Sequence, residues 1–146
     1  MLLTNAWFFF FSKIIFAVEW KFFTKIQTRN SWYAGTNNDV EIRYFGYKNS
    51  TPWLKLDNKK ENDFERGNTD FFVHKLKPIG KIYEALLCKR QGDDNWDVKT
   101  VSLKVSYLSE SKEEVLIYEY TFPEKDFRLK KNYKCQYLYD TRNFPN

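Results

Sequence analysis

Two oxygen-bearing stretches hold most of the side chains in this sequence that could do chemistry. One is Trp32-Tyr33-Ala34-Gly35-Thr36-Asn37-Asn38-Asp39, and the other is Asn62-Asp63-Phe64-Glu65-Arg66-Gly67-Asn68-Thr69-Asp70. Carboxylates, side-chain amides and backbone carbonyls are the donors of a hard cation such as calcium, which takes about six to eight oxygens. The first stretch also opens on two aromatics, Trp32 and Tyr33, and a third aromatic, Trp53, follows Pro52 at a turn. An indole joins an apolar body to a polar N–H, a combination that suits a contact surface or the headgroup layer of a membrane.

Catalytic alternatives fail on residue type. His74 is the single histidine and lies in a strand-like run, where a structural or solvent-facing role fits better than acid–base work. No G-x-S-x-G nucleophile turn and no phosphate-cradling glycine loop occurs. Cys88 and Cys135 form no C-x-x-C pair and have one histidine between them, which argues against zinc. Cys88 also lacks the helix N-terminus or paired histidine that would make a reactive thiolate. The chain therefore reads as a non-enzymatic binding or structural module with no catalytic residues.

The elements that must position these stretches are strands. At 146 residues the chain holds one domain. Aromatics make up 20% of it, with 14 Phe, 10 Tyr and 5 Trp, and such residues favour strands. Period-two alternation places strands at 20–28, 40–45, 53–56, 69–73, 81–89, 96–107, 114–121 and 133–139. Gly35, Gly46, Gly67 and Gln91-Gly92-Asp93-Asp94-Asn95 punctuate them. Short strands with turn signals about every 8–12 residues predict an all-β fold, an antiparallel sandwich with almost no helix. The segment 125–131 alternates apolar and charged residues and is read as a tail.

Residues 1–18 contain Trp7-Phe8-Phe9-Phe10-Phe11 and Ile14-Ile15-Phe16, interrupted by Ser12 and Lys13. That is too short to span a bilayer comfortably, which takes about 20 apolar residues. It reads as a secretory signal peptide ending near Ala17, with the domain occupying 19–146. In a secreted chain Cys88 and Cys135 would form one disulfide. Closing a loop with a sequence separation of 135 − 88 = 47 would stabilise by about 4 kcal/mol in the chain-entropy model. The net charge of +5 comes from 24 basic and 19 acidic residues that are mostly interspersed, as on an ordinary solvated surface. With no RNP-type motif and no dense basic stripe, nucleic acid is not expected as a partner.

The order of five short motifs resembles the PLAT, or LH2, domain family. They are Trp32–Asp39, Trp53-Leu54-Lys55-Leu56-Asp57-Asn58, Asn62–Asp70, Ile79-Gly80-Lys81-Ile82 and Trp96-Asp97-Val98-Lys99-Thr100-Val101. The resemblance implies an eight-stranded sandwich of two four-stranded sheets, with Trp20 and Trp96 in the core. It also implies a calcium site between the first and third motifs. Gly35 and Thr36 would give backbone carbonyls, and Asn62, Asp63 and Glu65 side-chain oxygens. Asn37 stands where the family often has aspartate, which removes one charge. The alternative for the same loop is a Glu65–Arg66 pair on a solvated surface. The resemblance further implies that Trp32, Tyr33 and Trp53 contact a membrane lipid surface or a protein partner. The rival to lipid is a protein-interaction or inhibitory module that uses a sheet face or edge.

Overall fold

The computed structural model describes residues 18–59 and 61–143. Of the expected signal peptide, all but Val18 lies outside the described residues. Alternation dictates the strands that follow. Along β1 (Trp20–Thr28), Phe22, Thr24, Ile26 and Thr28 are buried, while Lys21, Phe23, Lys25 and Gln27 face the other way. The remaining strands are β2 (Val40–Gly46), β3 (Leu54–Lys55), β4 (Thr69–Leu76), β5 (Ile82–Lys89), β6 (Trp96–Leu108), β7 (Glu114–Thr121), β8 (Phe127–Leu129) and β9 (Lys134–Tyr139). A 3₁₀ turn, Thr141–Asn143, is the sole helical element among the described residues.

All pairings are antiparallel and form two sheets. One runs β4-β1-β6-β7 with β8 also on β6, and the other runs β3-β2-β5-β9. Among the described residues there are nine strands, in sheets of five and four, where eight in two fours was expected. The reason lies in one edge row. β7 pairs residues 102–108 of β6, and β8 pairs residues 96–98 of the same strand. Between them stands Phe122-Pro123, and proline has no N–H to donate to a ladder. One row is thus broken in two, and 125–131, expected to be a tail, supplies the second piece. Arg128 in β8 fixes it by a two-point ion pair to the buried Asp97 carboxylate, with Nη2 2.9 Å from Oδ2.

Phe22, Ile26, Ile42, Tyr44, Ala85, Leu87, Val101, Leu103 and Val105 meet between the sheets. Burying a side chain such as Phe, Leu or Ile stabilises by about 1.5–3 kcal/mol. The Tyr44 phenol crosses this layer to the Thr24 hydroxyl at 2.7 Å, so the buried polar pair is satisfied. Burial pushes the Tyr44 phenol up, so it stays protonated. Trp96 is wholly buried and donates Nε1–H to Thr28 Oγ1 at 3.0 Å. Trp20 is only partly buried against the core rim.

Cys88 and Cys135 sit directly opposite each other on β5 and β9, with Cα atoms 4.1 Å apart, and are bonded. The two sheet edges on this side are also tied at the end of the chain. Tyr118 on β7 donates to the buried Asp140, which Arg142 grips as well.

Antiparallel order sorts the connections into two poles. The links at 29–39, 56–68, 90–95 and 130–133 share one pole, and those at 47–53, 77–81 and 109–113 share the other.

Candidate functional site

The first pole is braced by backbone hydrogen bonds between loops distant in sequence. Thr36 N–H donates to Phe64 O at 3.2 Å, Asp97 N–H to Ala34 O at 2.9 Å, and Gly67 N–H to Arg29 O at 3.0 Å. Phe64 is the plug beneath them. Its side chain is buried, edge-on to Trp96 at 4.8 Å and stacked with Phe72 at 5.6 Å. Holding it there places its backbone at φ 61°, and its N–H donates to Asp70 Oδ2 at 2.9 Å. Gly35 packs against this turn so closely that a Cβ would lie 2.8 Å from Phe64 O. The requirement for glycine here is one of space.

Phe64 points inward, and its two neighbours line different hollows. Asp63 lines a hollow of about 170 Å³ with Thr36, Asn62 and the acids Asp39, Asp57 and Glu61. Glu65 lines an adjoining hollow of about 320 Å³ with Trp32, Tyr33, Gly35, Arg66 and Asp94, and Thr36 and Asn37 line both. The expected oxygen donors Gly35, Thr36, Asn62, Asp63 and Glu65 are therefore at one pole but divided between two hollows. Asp63 already accepts from Asn58 N–H at 2.7 Å and Asn58 Nδ2 at 2.9 Å, and Glu65 accepts from Asn62 Nδ2 at 2.6 Å. No three acidic, histidine or cysteine side chains converge to hold a metal among the described residues. The donors are right in kind for calcium and incomplete in number. Negative charge does collect here. Burial first, then the neighbouring Asp63, Glu61 and Glu65, raises the Asp70 carboxyl above its ordinary range.

The alternative for this loop, a Glu65–Arg66 pair, does not form among the described residues. The Arg66 guanidinium lies over the Trp32 ring, 4.6 Å from its centre, with no carboxylate in ion-pair reach among the described residues. Trp32 and Tyr33 stand 80% and 92% exposed at the tip, Tyr33 in the left-handed region at φ 59°. Arg29 is engaged by Asp126 at 3.4 Å. Trp53 is elsewhere: it precedes β3, half-way along the edge of the smaller sheet, and is 39% exposed.

Sequence reasoning missed two residues at this pole. Asp94 accepts the Asn37 N–H at 3.1 Å and so joins the third loop to the first. Lys89 is fully buried, and its ammonium donates to Asn132 O at 3.0 Å and Arg90 O at 3.3 Å, tying the fourth loop down. Burial lowers its pKa, and the nearby Asp94 opposes that shift. Neither residue stands in a motif, and only the strand pairing brings them here.

Comparison with known proteins agrees with this arrangement. A 51-residue stretch is 39% identical to the human lipoxygenase homology domain-containing protein 1, covering 35% of this chain and 2% of that protein. Among solved structures, a coral 8R-lipoxygenase whose calcium activation is ascribed to a C2-like domain superposes with a TM-score of 0.62 at 26% identity. It covers 82% of this chain and 16% of that one. The alpha toxin of Clostridium absonum shares the fold, with a TM-score of 0.57 at 19% identity over 81% of this chain and 31% of that one. The chain thus spans a small part of each relative. The PLAT/LH2 domain model matches residues 23–138, most of the sequence and nearly the whole sandwich, and the chain belongs to the PLAT/LH2 domain family.

Proposed function

We propose that this domain is a non-enzymatic, secreted binding module that docks on lipid surfaces through the tip formed by Trp32 and Tyr33. The observation that carries this is a contrast. These two rings are the most exposed large hydrophobics described, yet the loop that bears them is clamped just beyond them, Ala34 to Asp97 and Thr36 to Phe64. Exposed rings on a braced loop lose little conformational entropy on insertion, which favours binding. Residues 1–18 act as the signal peptide in this reading, and the Cys88–Cys135 bridge suits an oxidising setting.

Calcium assists by occupying the Asp63 hollow, where it would offset the charge of Asp63, Asp39, Asp57 and Glu61. The ion supplies positive charge there. The incomplete donor set and the uncharged Asn37 fit weak affinity, of about 10⁻⁴ to 10⁻³ M.

Co-sedimentation with vesicles, followed by tryptophan fluorescence across a calcium titration, tests the reading. Wild type should sediment with a blue shift, Trp32→Ala should bind about tenfold more weakly at every calcium level, and Asp63→Ala should lose the calcium response alone. No sedimentation and no blue shift at any calcium level would overturn lipid docking. An unchanged calcium response in Asp63→Ala would overturn the calcium half.

A protein partner is the second reading, and the outer face of the smaller sheet favours it. Register places Arg43, Leu86 and Tyr137 in one row and Phe45, Glu84 and Tyr139 in the next. Trp53 stands next to Leu54, which pairs with Ile42 at the edge of this sheet. Tyr137 and Tyr139 are 48% and 40% exposed.

A further inference from the structure

The larger sheet has an open edge along β4. Thr28 N–H donates to Asn68 O at 3.0 Å, so these two residues form a bonded pair just beyond the β1–β4 ladder. Alternation then turns the N–H and C=O groups of Asp70, Phe72, His74 and Leu76 toward β1, and those of Thr69, Phe71, Val73 and Lys75 outward. None of these last four has a backbone partner on the open side among the described residues. Their side chains lie on the outer face, where Phe71 is 63% and Val73 55% exposed. Edges are commonly blunted by shortness, a bulge, proline or charge. β3 and β8 are two and three residues long, and β7 lies on a ladder with a register shift. By contrast β4 pairs with β1 over eight positions without a shift. It has no proline, and no acid or lysine between Asp70 and Lys75.

We infer that two copies of the chain pair through this edge, β4 antiparallel to β4, about a two-fold axis at Phe72. Of the registers that bond open group to open group, this one matches all four residues of one copy with all four of the other. Thr69 faces Lys75 and Phe71 faces Val73, each pair occurring twice. The side chains are self-complementary in the same register. On the outer face Val73 lies between Phe23 of its own copy and Phe71 of the second, so these three residues from both copies make one apolar stripe across the axis. A hollow of about 320 Å³, lined by Phe23, Phe71, Val73, Lys25 and Lys104, borders that stripe. On the inner side Asp70 comes opposite His74 of the second copy, an acid facing an imidazole whose Nδ1 is buried without a hydrogen-bond partner among the described residues. No like charges meet directly across the axis. An unrelated extended peptide would satisfy the backbone groups but not these side-chain pairs, which favours a second copy as the occupant. The net charge of +5 on each copy opposes association. Together with an interface of one strand edge, it sets the expected dissociation constant at about 10–100 µM.

Sedimentation equilibrium of the full chain, from about 1 µM to about 500 µM, reads the association. Over the same range the amides of Thr69, Phe71, Val73 and Lys75 should gain protection from exchange, and those of Asp70, Phe72 and His74 should not change. Phe71→Lys and Val73→Lys should each weaken self-association by at least about tenfold. Far-UV circular dichroism should stay unchanged in both, since these side chains face solvent in the single copy. Thr69→Glu, set against Lys75 of the second copy, should tighten association about threefold. Asn49→Glu, an equal change of net charge in the exposed link at the other pole, should tighten it less. A peptide of residues 69–75 should compete, and a scrambled version should not. A chain that stays monomeric throughout, association that survives both lysine variants, or protection confined to other amides would overturn the inference. Equal effects of Thr69→Glu and Asn49→Glu would overturn the register. Equal competition by the scrambled peptide would mean an edge open to any strand and overturn the second copy as its occupant. No readout here involves lipid, so the result is independent of docking through the tip.

Discussion

Asp70 shows how a single residue at the tip is held at a cost. Its carboxylate must accept the Phe64 N–H that anchors the plug, yet it is buried and faces Asp63, Glu61 and Glu65. Its pKa is raised on folding, so the native state binds the proton more strongly than the unfolded chain. Its contribution to stability is therefore present below the ordinary carboxyl pKa of about 4 and is lost as pH rises through the folded value. Asp70→Asn keeps the acceptor and removes the charge. The variant should melt at the same or a higher temperature than wild type at pH 7, with the difference vanishing below about pH 4. A lower melting temperature across the whole range would show that the amide fails to replace the carboxylate. The divided fate of Asp63 and Glu65 belongs to the same scale. Their presence in one motif was legible in the sequence. Their separation was not, because it goes with the inward turn of Phe64, which only the packing against Trp96 and Phe72 requires.

At the scale of elements, the edge strands are where local pattern and tertiary context part. Strands with one buried face, such as β1, β4 and β5, announce themselves by alternation, and these segments follow their expected places closely. β8 is three residues long, and its pairing with β6 is set by the break at Pro123 and by the Arg128–Asp97 ion pair. No local signal marks it. β9 is also an edge, with only Leu138 buried, so little of its attachment comes from apolar burial. The Cys88–Cys135 bridge and the Asp140 network carry the difference. Replacing both cysteines by serine should lower the unfolding free energy by about 2–4 kcal/mol, read from urea denaturation with the slope fitted for each protein, since the unbridged unfolded chain exposes more surface. Amide exchange should quicken first along β9 and the facing edge of β5. A loss spread evenly over both sheets would argue against this local role.

Taken whole, the molecule is polar in its layout. Four loops and both tip aromatics gather at one pole. β1 begins and β9 ends at the other, since Trp20 pairs with Leu76 and Tyr139 with Glu84, far from the Thr28 and Lys89 ends of those ladders. This gathering is a product of antiparallel order, and no reading of single motifs could supply it. The consequence is mechanical: the sandwich has a handle and a working end. A chain anchored by residues beyond either terminal strand would swing with its tip outward, about one strand length from the attachment point. Immobilising the protein through the far pole should leave vesicle capture intact. Attachment through a biotinylated Tyr33→Cys variant should abolish it, and surface plasmon resonance reads both. Equal capture in the two orientations would mean that the face meeting the lipid lies somewhere other than the tip. Strung in series by such handles, copies of this domain would each point the tip away from the string, because chain entry and exit lie at the one far pole.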